Sequence, residues 1–225
     1  MPAPSTIEDI TMNNVSNTDR RVVFFHCPNS RAGGVRILLE ELGADYEMRV
    51  LSLKAGQQRA PDYLAVNPMG KVPAIVHGDA LVTEQAAVYM YMADLYPETG
   101  LAPGLQDPLR GPYLRWMVFY GSCVEPAIVD RAFKREPVQQ STCPYGDFDT
   151  MYQTVVDQLG KGPYMLGERF TAVDLLWGTS LNWLIKFKLM PESPVLTAYV
   201  ERVMSRPAVQ RAVAADAELV KATEA

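Results

Sequence analysis

The sequence predicts a chain of two unlike halves, an α/β half followed by an all-α half. Three observations predict it. Strand-like and helix-like patterns alternate through the N-terminal part of the chain, a proline- and glycine-rich stretch without periodicity follows near Pro97–Pro108, and every later periodic segment has helical spacing. The 225 residues are 48% apolar, which supplies material for a sizeable core. The expected division is a polar N-terminal arm over 1–20, an α/β domain over 21–97, a linker over 98–108 and a helical domain over 109–225.

Arg21-Val22-Val23-Phe24-Phe25-His26 is a run of β-branched and aromatic residues and reads as a buried strand. Cys27-Pro28-Asn29-Ser30 is a turn and a helix cap. A helix over 33–42 follows, with Val35, Leu38, Leu39 and Leu42 on one face and Gly43 closing it. Tyr46 to Leu53 reads as a second strand. The helix between them makes the two strands parallel, with a right-handed crossover. Ala74-Ile75-Val76 and Ala80-Leu81-Val82 flank His77-Gly78-Asp79 and form an antiparallel hairpin. A helix over 84–96 places Ala87, Val88, Tyr91, Met92 and Leu95 inward, and Pro97 stops it. This order of strands and helices is thioredoxin-like.

Beyond the linker, helices are expected near 109–128, 148–160, 172–183, 195–205 and 207–217, with a loop over 134–146. The sharpest local signal there is Thr171-Ala172-Val173-Asp174, a capping box with Phe170 and Leu175 placed as a hydrophobic staple. Each half of that device stabilises by about 1 kcal/mol, so Thr171 and Asp174 read as folding residues.

The most informative segment is Asn67-Pro68-Met69-Gly70-Lys71-Val72-Pro73-Ala74-Ile75. A proline at the lip of a short strand, after a turn, is a place where a cis peptide is tolerated. The segment resembles the glutathione-binding loop of the glutathione S-transferases, in which the residue before a cis-proline pairs with the cysteinyl backbone of glutathione. Glu84 and the capping box before an apolar helix with Trp177 resemble the same family. Pro28-Asn29-Ser30-Arg31 with Ile37-Leu38-Leu39-Glu40-Glu41-Leu42-Gly43 is most similar to its bacterial and fungal branch.

The resemblance covers about residues 21 to 215 and implies an enzyme that turns the glutathione thiol into a thiolate for attack on a hydrophobic electrophile. Glutathione is then a co-substrate, and the protein is a homodimer. Val72 and Pro73 would hold the middle of the peptide. Glu84 and Gln85, at a helix start, would meet its γ-glutamyl end; most relatives carry serine where this chain has Gln85. Lys71 and Gln58 would hold the glycyl carboxylate. For the thiol, the resemblance offers Ser30 and Asn29, with Arg31 standing where cysteine-type relatives carry cysteine. Cys27 lies two residues too early for a redox position and reads as an apolar residue at a strand end. Tyr113, Trp116, Met117 and Tyr120, at spacings of three and four, are candidates for the electrophile pocket. Two other readings stay open: a glutathione-dependent disulfide or peroxide reductase, and a non-catalytic binding or regulatory module on the same fold.

Composition narrows the partners. A formal charge of −5 argues against a nucleic-acid footprint, so acidic ligands must be held by local donors. No apolar run approaches the ~20 residues that span a bilayer, and the first twenty residues lack the apolar core of a signal peptide. The three cysteines, Cys27, Cys123 and Cys143, have neither disulfide nor metal spacing, and two histidines are too few for a usual metal site. The expectation is a reduced, cytoplasmic protein without a metal.

Overall fold

Alternation along the first strand sets the architecture. In a computed structural model of the chain, which describes residues 20–136 and 138–224, β1 (Val22–His26) sends Val22 and Phe24 into the main core. Phe25 goes to the opposite face, where it meets Tyr63 and Ala74. The expected arm over 1–20 lies, but for its last residue, outside the described residues. After β1 come α1 (Ala32–Leu42), β2 (Tyr46–Val50), α2 (Pro61–Val66), β3 (Ala74–His77), β4 (Ala80–Thr83) and α3 (Gln85–Leu95). The sheet order is β2-β1-β3-β4, with β1 parallel to β2 and the remaining pairs antiparallel.

The predicted face of α1 is buried as a set: Val35, Leu38, Leu39 and Leu42. Gly43 ends the helix at φ 61°, a left-handed conformation that costs glycine little, and its N–H turns back to Leu39 and Glu40. On α3 the fully buried residues are Val88, Tyr89, Met92 and Ala93. Tyr91 and Leu95, expected inward, are only partly buried, and the Tyr91 hydroxyl lies 2.7 Å from His77 Nδ1. Among the elements with no counterpart in the sequence reading are a 3₁₀ turn over Gln57–Arg59, and α2, which starts on Pro61 and places Tyr63 under the sheet.

The helical half holds α4 (Arg110–Phe119), α5 (Glu125–Ala132), α6 (Phe148–Leu159), α7 (Ala172–Lys186), α8 (Pro194–Met204) and α9 (Pro207–Glu224). The single helix expected over 109–128 is interrupted. A π-helical turn over Tyr120–Val124 separates α4 from α5. Pro126 has no N–H for the carbonyl four residues back, so the regular ladder cannot pass through that turn. Trp177 of α7 donates its indole N–H to the Trp116 carbonyl at 3.0 Å and sits edge-on to the Trp116 ring. At the foot of α7 the Asp174 carboxylate accepts the Thr171 N–H at 2.8 Å, the Met165 N–H at 2.7 Å and the Tyr199 hydroxyl at 2.9 Å. The two halves are joined along α1, which packs against both α7 and α9.

Candidate functional site

A cavity of about 730 Å³ opens where the first turn of α1, the loops before β3 and the start of α3 face α7 and α9. Its α/β wall carries Asn29, Ser30, Arg31, Gln58, Arg59, Lys71, Val72 and Gln85. The loop over 67–73 is shaped by its own hydrogen bonds. Buried Asn67 donates to the Lys71 carbonyl at 2.9 Å and accepts the Met69 N–H at 3.1 Å, and the Tyr63 hydroxyl donates to the same Lys71 carbonyl. Gly70, at φ 56°, sits where an added Cβ would fall 2.6 Å from the Gln58 carbonyl oxygen, so only glycine fits. The Val72–Pro73 peptide bond is cis. Val72 makes no backbone hydrogen bond among the described residues, and Pro73 is buried behind it.

Polar groups in this wall await a partner. The side-chain oxygens of Gln58 and Gln85 are buried with no hydrogen bond among the described residues, an uncommon state for buried polar atoms. The Gln85 amide donates to the Arg31 carbonyl at 3.3 Å and so ties α3 to the first turn of α1. The Lys71 ammonium has no acid partner among the described residues. Such a set fits a peptide with amide N–H groups in its middle and a carboxylate at one end. Glu84 caps α3 at φ 63°, exposed and outside the cavity wall.

Ser30 is engaged twice. Its hydroxyl donates to the Cys27 carbonyl at 2.6 Å and accepts the Ala32 N–H at 3.1 Å, closing the turn that starts α1. Its proton reaches a ligand only by rotating away from Cys27. Asn29 lies beside it at φ 57°, exposed.

Arg31 reaches across to the helical half. Its Nε donates to Glu125 at 2.7 Å and a second guanidinium nitrogen donates to the other Glu125 oxygen, a bidentate pair. That bond with Glu125 holds the guanidinium pKa above its usual value. Tyr120 donates to the same carboxylate at 2.6 Å. Burial, and then the Glu125 charge, push the Tyr120 pKa far up, so it stays a protonated donor. At the α9 end, Asp216 joins the cavity wall. Its Oδ1 accepts from Arg36 and lies 2.9 Å from Nε2 of fully buried His26. Burial works against the Asp216 charge, yet His26 and Arg36 hold its pKa below the usual carboxylate range.

Of the four aromatic and methionine candidates on α4 and the π turn, Tyr120 lines the cavity. Tyr113, Trp116 and Met117 are buried in the helical core and do not. The correction is one of face: residues three and four apart share a side of a helix, but spacing does not say which side meets the void. Sequence reasoning missed Glu125, Asp216, Arg59 and the α7 residues Thr179, Ser180, Trp183 and Lys186, all of which line the cavity. Among the described residues there is no group of side chains that could hold a metal ion, and no helix long and apolar enough to cross a membrane.

Comparison with known proteins agrees with this geometry. Residues 21–94 match the model of the glutathione S-transferase N-terminal domain, and residues 148–207 match that of the C-terminal domain. Glutathione S-transferase GstA of Escherichia coli O157:H7 is 28% identical over 195 residues, covering 85% of this chain and 97% of the relative. Glutathione S-transferase Z1 of Arabidopsis thaliana is 28% identical over 206 residues, with 88% and 93% covered. Among solved structures, a glutathione transferase from Methylococcus capsulatus superposes with a TM-score of 0.73 at 30% identity, covering 87% of this chain and 98% of its own. A sphingomonad glutathione S-transferase complexed with glutathione gives 0.71 at 27% identity, with 87% and 98% covered.

Proposed function

The chain belongs to the glutathione S-transferase family, and from that premise we propose that it binds glutathione against the α/β wall of the cavity and activates its thiol for attack on an electrophile. The observation that carries the reading is the row of unsatisfied polar groups there: the buried oxygens of Gln58 and Gln85 and the backbone of Val72. In this reading Val72 pairs with the cysteinyl backbone and Lys71 with the glycyl carboxylate. Gln58 and Gln85 accept from peptide N–H groups or from the γ-glutamyl ammonium. Glu84, outside the wall, contributes to that ammonium through charge alone. The active species is a homodimer located in the cytoplasm.

A free thiol with a pKa of about 8.5 is only ~3% ionised at pH 7, and lowering that pKa by ~2 units takes about 2.7 kcal/mol. The first turn of α1 supplies the positive end of a helix dipole. The Ser30 hydroxyl supplies one donor once it rotates off the Cys27 carbonyl, while the Ala32 N–H keeps its oxygen in place. Thiolate attack then forms the carbon–sulfur bond, and the leaving group departs with its electron pair.

Retention on immobilised glutathione and ultraviolet titration of the bound thiol test the proposal. Ser30→Ala should raise the bound thiol pKa and lower turnover roughly 10- to 150-fold, the loss of one hydrogen bond to a charged group at about 1.5–3 kcal/mol. Asn29→Ala is the paired control. No retention would remove glutathione from the reading. Parent-like titration of both variants would move thiol activation to Arg31 or a backbone amide.

A further inference from the structure

We infer that the lobe of the cavity beside α7 and α9 selects an electrophile with a flat apolar body and an anionic group, and that Lys186 makes the selection. The inference rests on the glutathione transferase reading above and names the co-substrate class of that same cavity.

The argument begins with charge. The chain as a whole carries −5, yet the cavity wall does not share that sign. Its two acids are both committed: Glu125 to Arg31 and Tyr120, and Asp216 through Oδ1 to Arg36 and His26. Its cations Arg59, Lys71 and Lys186 have no acid partner among the described residues. Among the described residues the Arg59 guanidinium donates to the Met69 carbonyl, at 3.3 Å. Arg59 and Lys71 stand on the glutathione loops beside Val72, where the peptide carboxylate would occupy them. Lys186 stands apart, on the last turn of α7 in the other half of the molecule. A glutathione bound against the α/β wall leaves that charge unanswered.

Shape supplies the second part. Trp183 lies three residues before Lys186, on the same side of α7, and both line the cavity. Trp183 is 44% exposed and offers an aromatic face to the cavity. Phe187 braces it, with ring centroids 4.7 Å apart. From α9 the cavity receives Val213, Ala217 and Val220, at helical spacings of four and three. An aromatic face, small aliphatic side chains and one cation at the rim describe a slot for a planar ring bearing a carboxylate or sulfonate.

The reaction that reads this out is aromatic substitution. The glutathione sulfur forms a bond to the ring carbon carrying chloride, and chloride leaves with the bonding pair; the thiol proton has already gone to solvent. The probes are 4-chloro-3,5-dinitrobenzoate and its methyl ester, which differ in charge at one position. The benzoate-to-ester ratio of kcat/KM should fall about fivefold in Lys186→Gln, equivalent to about 1 kcal/mol for a partly exposed ion pair. In Lys186→Glu it should fall roughly 25-fold, and raised salt should flatten the difference. Lys188→Gln, whose side chain does not line the cavity, should keep the parent ratio. A ratio unchanged by both Lys186 variants overturns the inference while leaving the transferase reading intact. If neither probe turns over, equilibrium binding of the two preformed glutathione conjugates decides. A fivefold loss for the benzoate conjugate alone in Lys186→Gln supports the slot without catalysis, and failure of both conjugates to bind removes the slot and the glutathione site together.

Discussion

Replacing Asp174 by alanine tests how the helical half is held. The side chain is fully buried at the start of α7, and its carboxylate accepts from the Thr171 and Met165 amides and the Tyr199 hydroxyl, with the Thr171 hydroxyl a fourth donor at 3.3 Å. Alanine would leave two amides and one phenol buried without partners. At about 1–3 kcal/mol for each group stranded in this way, offset in part by relaxation, the loss should be ~3–5 kcal/mol, well above the ~1 kcal/mol of a surface cap. The penalty should also depend on pH with a definite sign. Burial raises the Asp174 pKa from 3.8 to about 6, against the pull of its donors. The native state therefore holds a proton that the unfolded chain gives up. The stabilisation from that difference is complete below the unfolded pKa and is lost as pH rises through the folded one. At about 1.4 kcal/mol for each tenfold in acidity, the gap amounts to roughly 3 kcal/mol. Urea unfolding of parent and Asp174→Ala between about pH 4 and pH 7 measures it. The alanine penalty should shrink by roughly that amount as pH increases. A penalty that stays flat, or that grows with pH, would show that the donors outweigh burial and would refute the reasoning.

Gly178 of α7 faces α8, where an added Cβ would fall 2.5 Å from Val203 Cβ; Gly178→Ala should cost about 1–3 kcal/mol. Val203→Ala in the same chain should return part of it, with urea midpoints as the readout and a parent-like single variant as the contrary result. Glu125→Gln leaves the Arg31 charge unopposed and should lower the thiol pKa of bound glutathione, while Arg31→Ala should raise it. Each effect is on the order of 1 kcal/mol, the usual size for a partly exposed charge; shifts of the same sign in both variants would mean that the pair acts through structure. Light scattering at micromolar concentration should give the mass of a dimer, and a monomer mass would remove that part of the proposal.

Much of the α/β half was legible because its signals are local. Two valines and two phenylalanines in a row made β1, and Gly43 marked the end of α1. Proline and glycine at fixed offsets marked the loop over 67–73. The capping box is likewise a four-residue signal, and α7 begins where it points. The 3₁₀ turn and α2 were not legible, since six residues carry too little periodicity to separate a helix from a loop. The far wall of the cavity was closed to sequence reasoning for another reason. Asp216 and His26 meet across 190 residues, and Arg31 and Glu125 across 94. No spacing rule connects residues that far apart. Phe25, Tyr63 and Ala74 form a second, smaller cluster for the same reason, visible only once α2 is placed beneath the sheet.

The π turn over Tyr120–Val124 gives the length of one short segment an influence beyond its composition. Successive residues of an α-helix stand about 100° apart around its axis. A single residue gained or lost there would swing the whole of α5 by that angle, with Trp116 of α4 and Trp177 of α7 left where they are. Glu125 is the first residue past the turn, so it would be carried away from Arg31 and Tyr120 before anything else moved. In chains of this architecture, a one-residue difference in length at this point therefore does what many point substitutions cannot. It exchanges the side of α5 presented to the cavity in one step, and it turns the buried Ala127 and Ile128 away from the core with it.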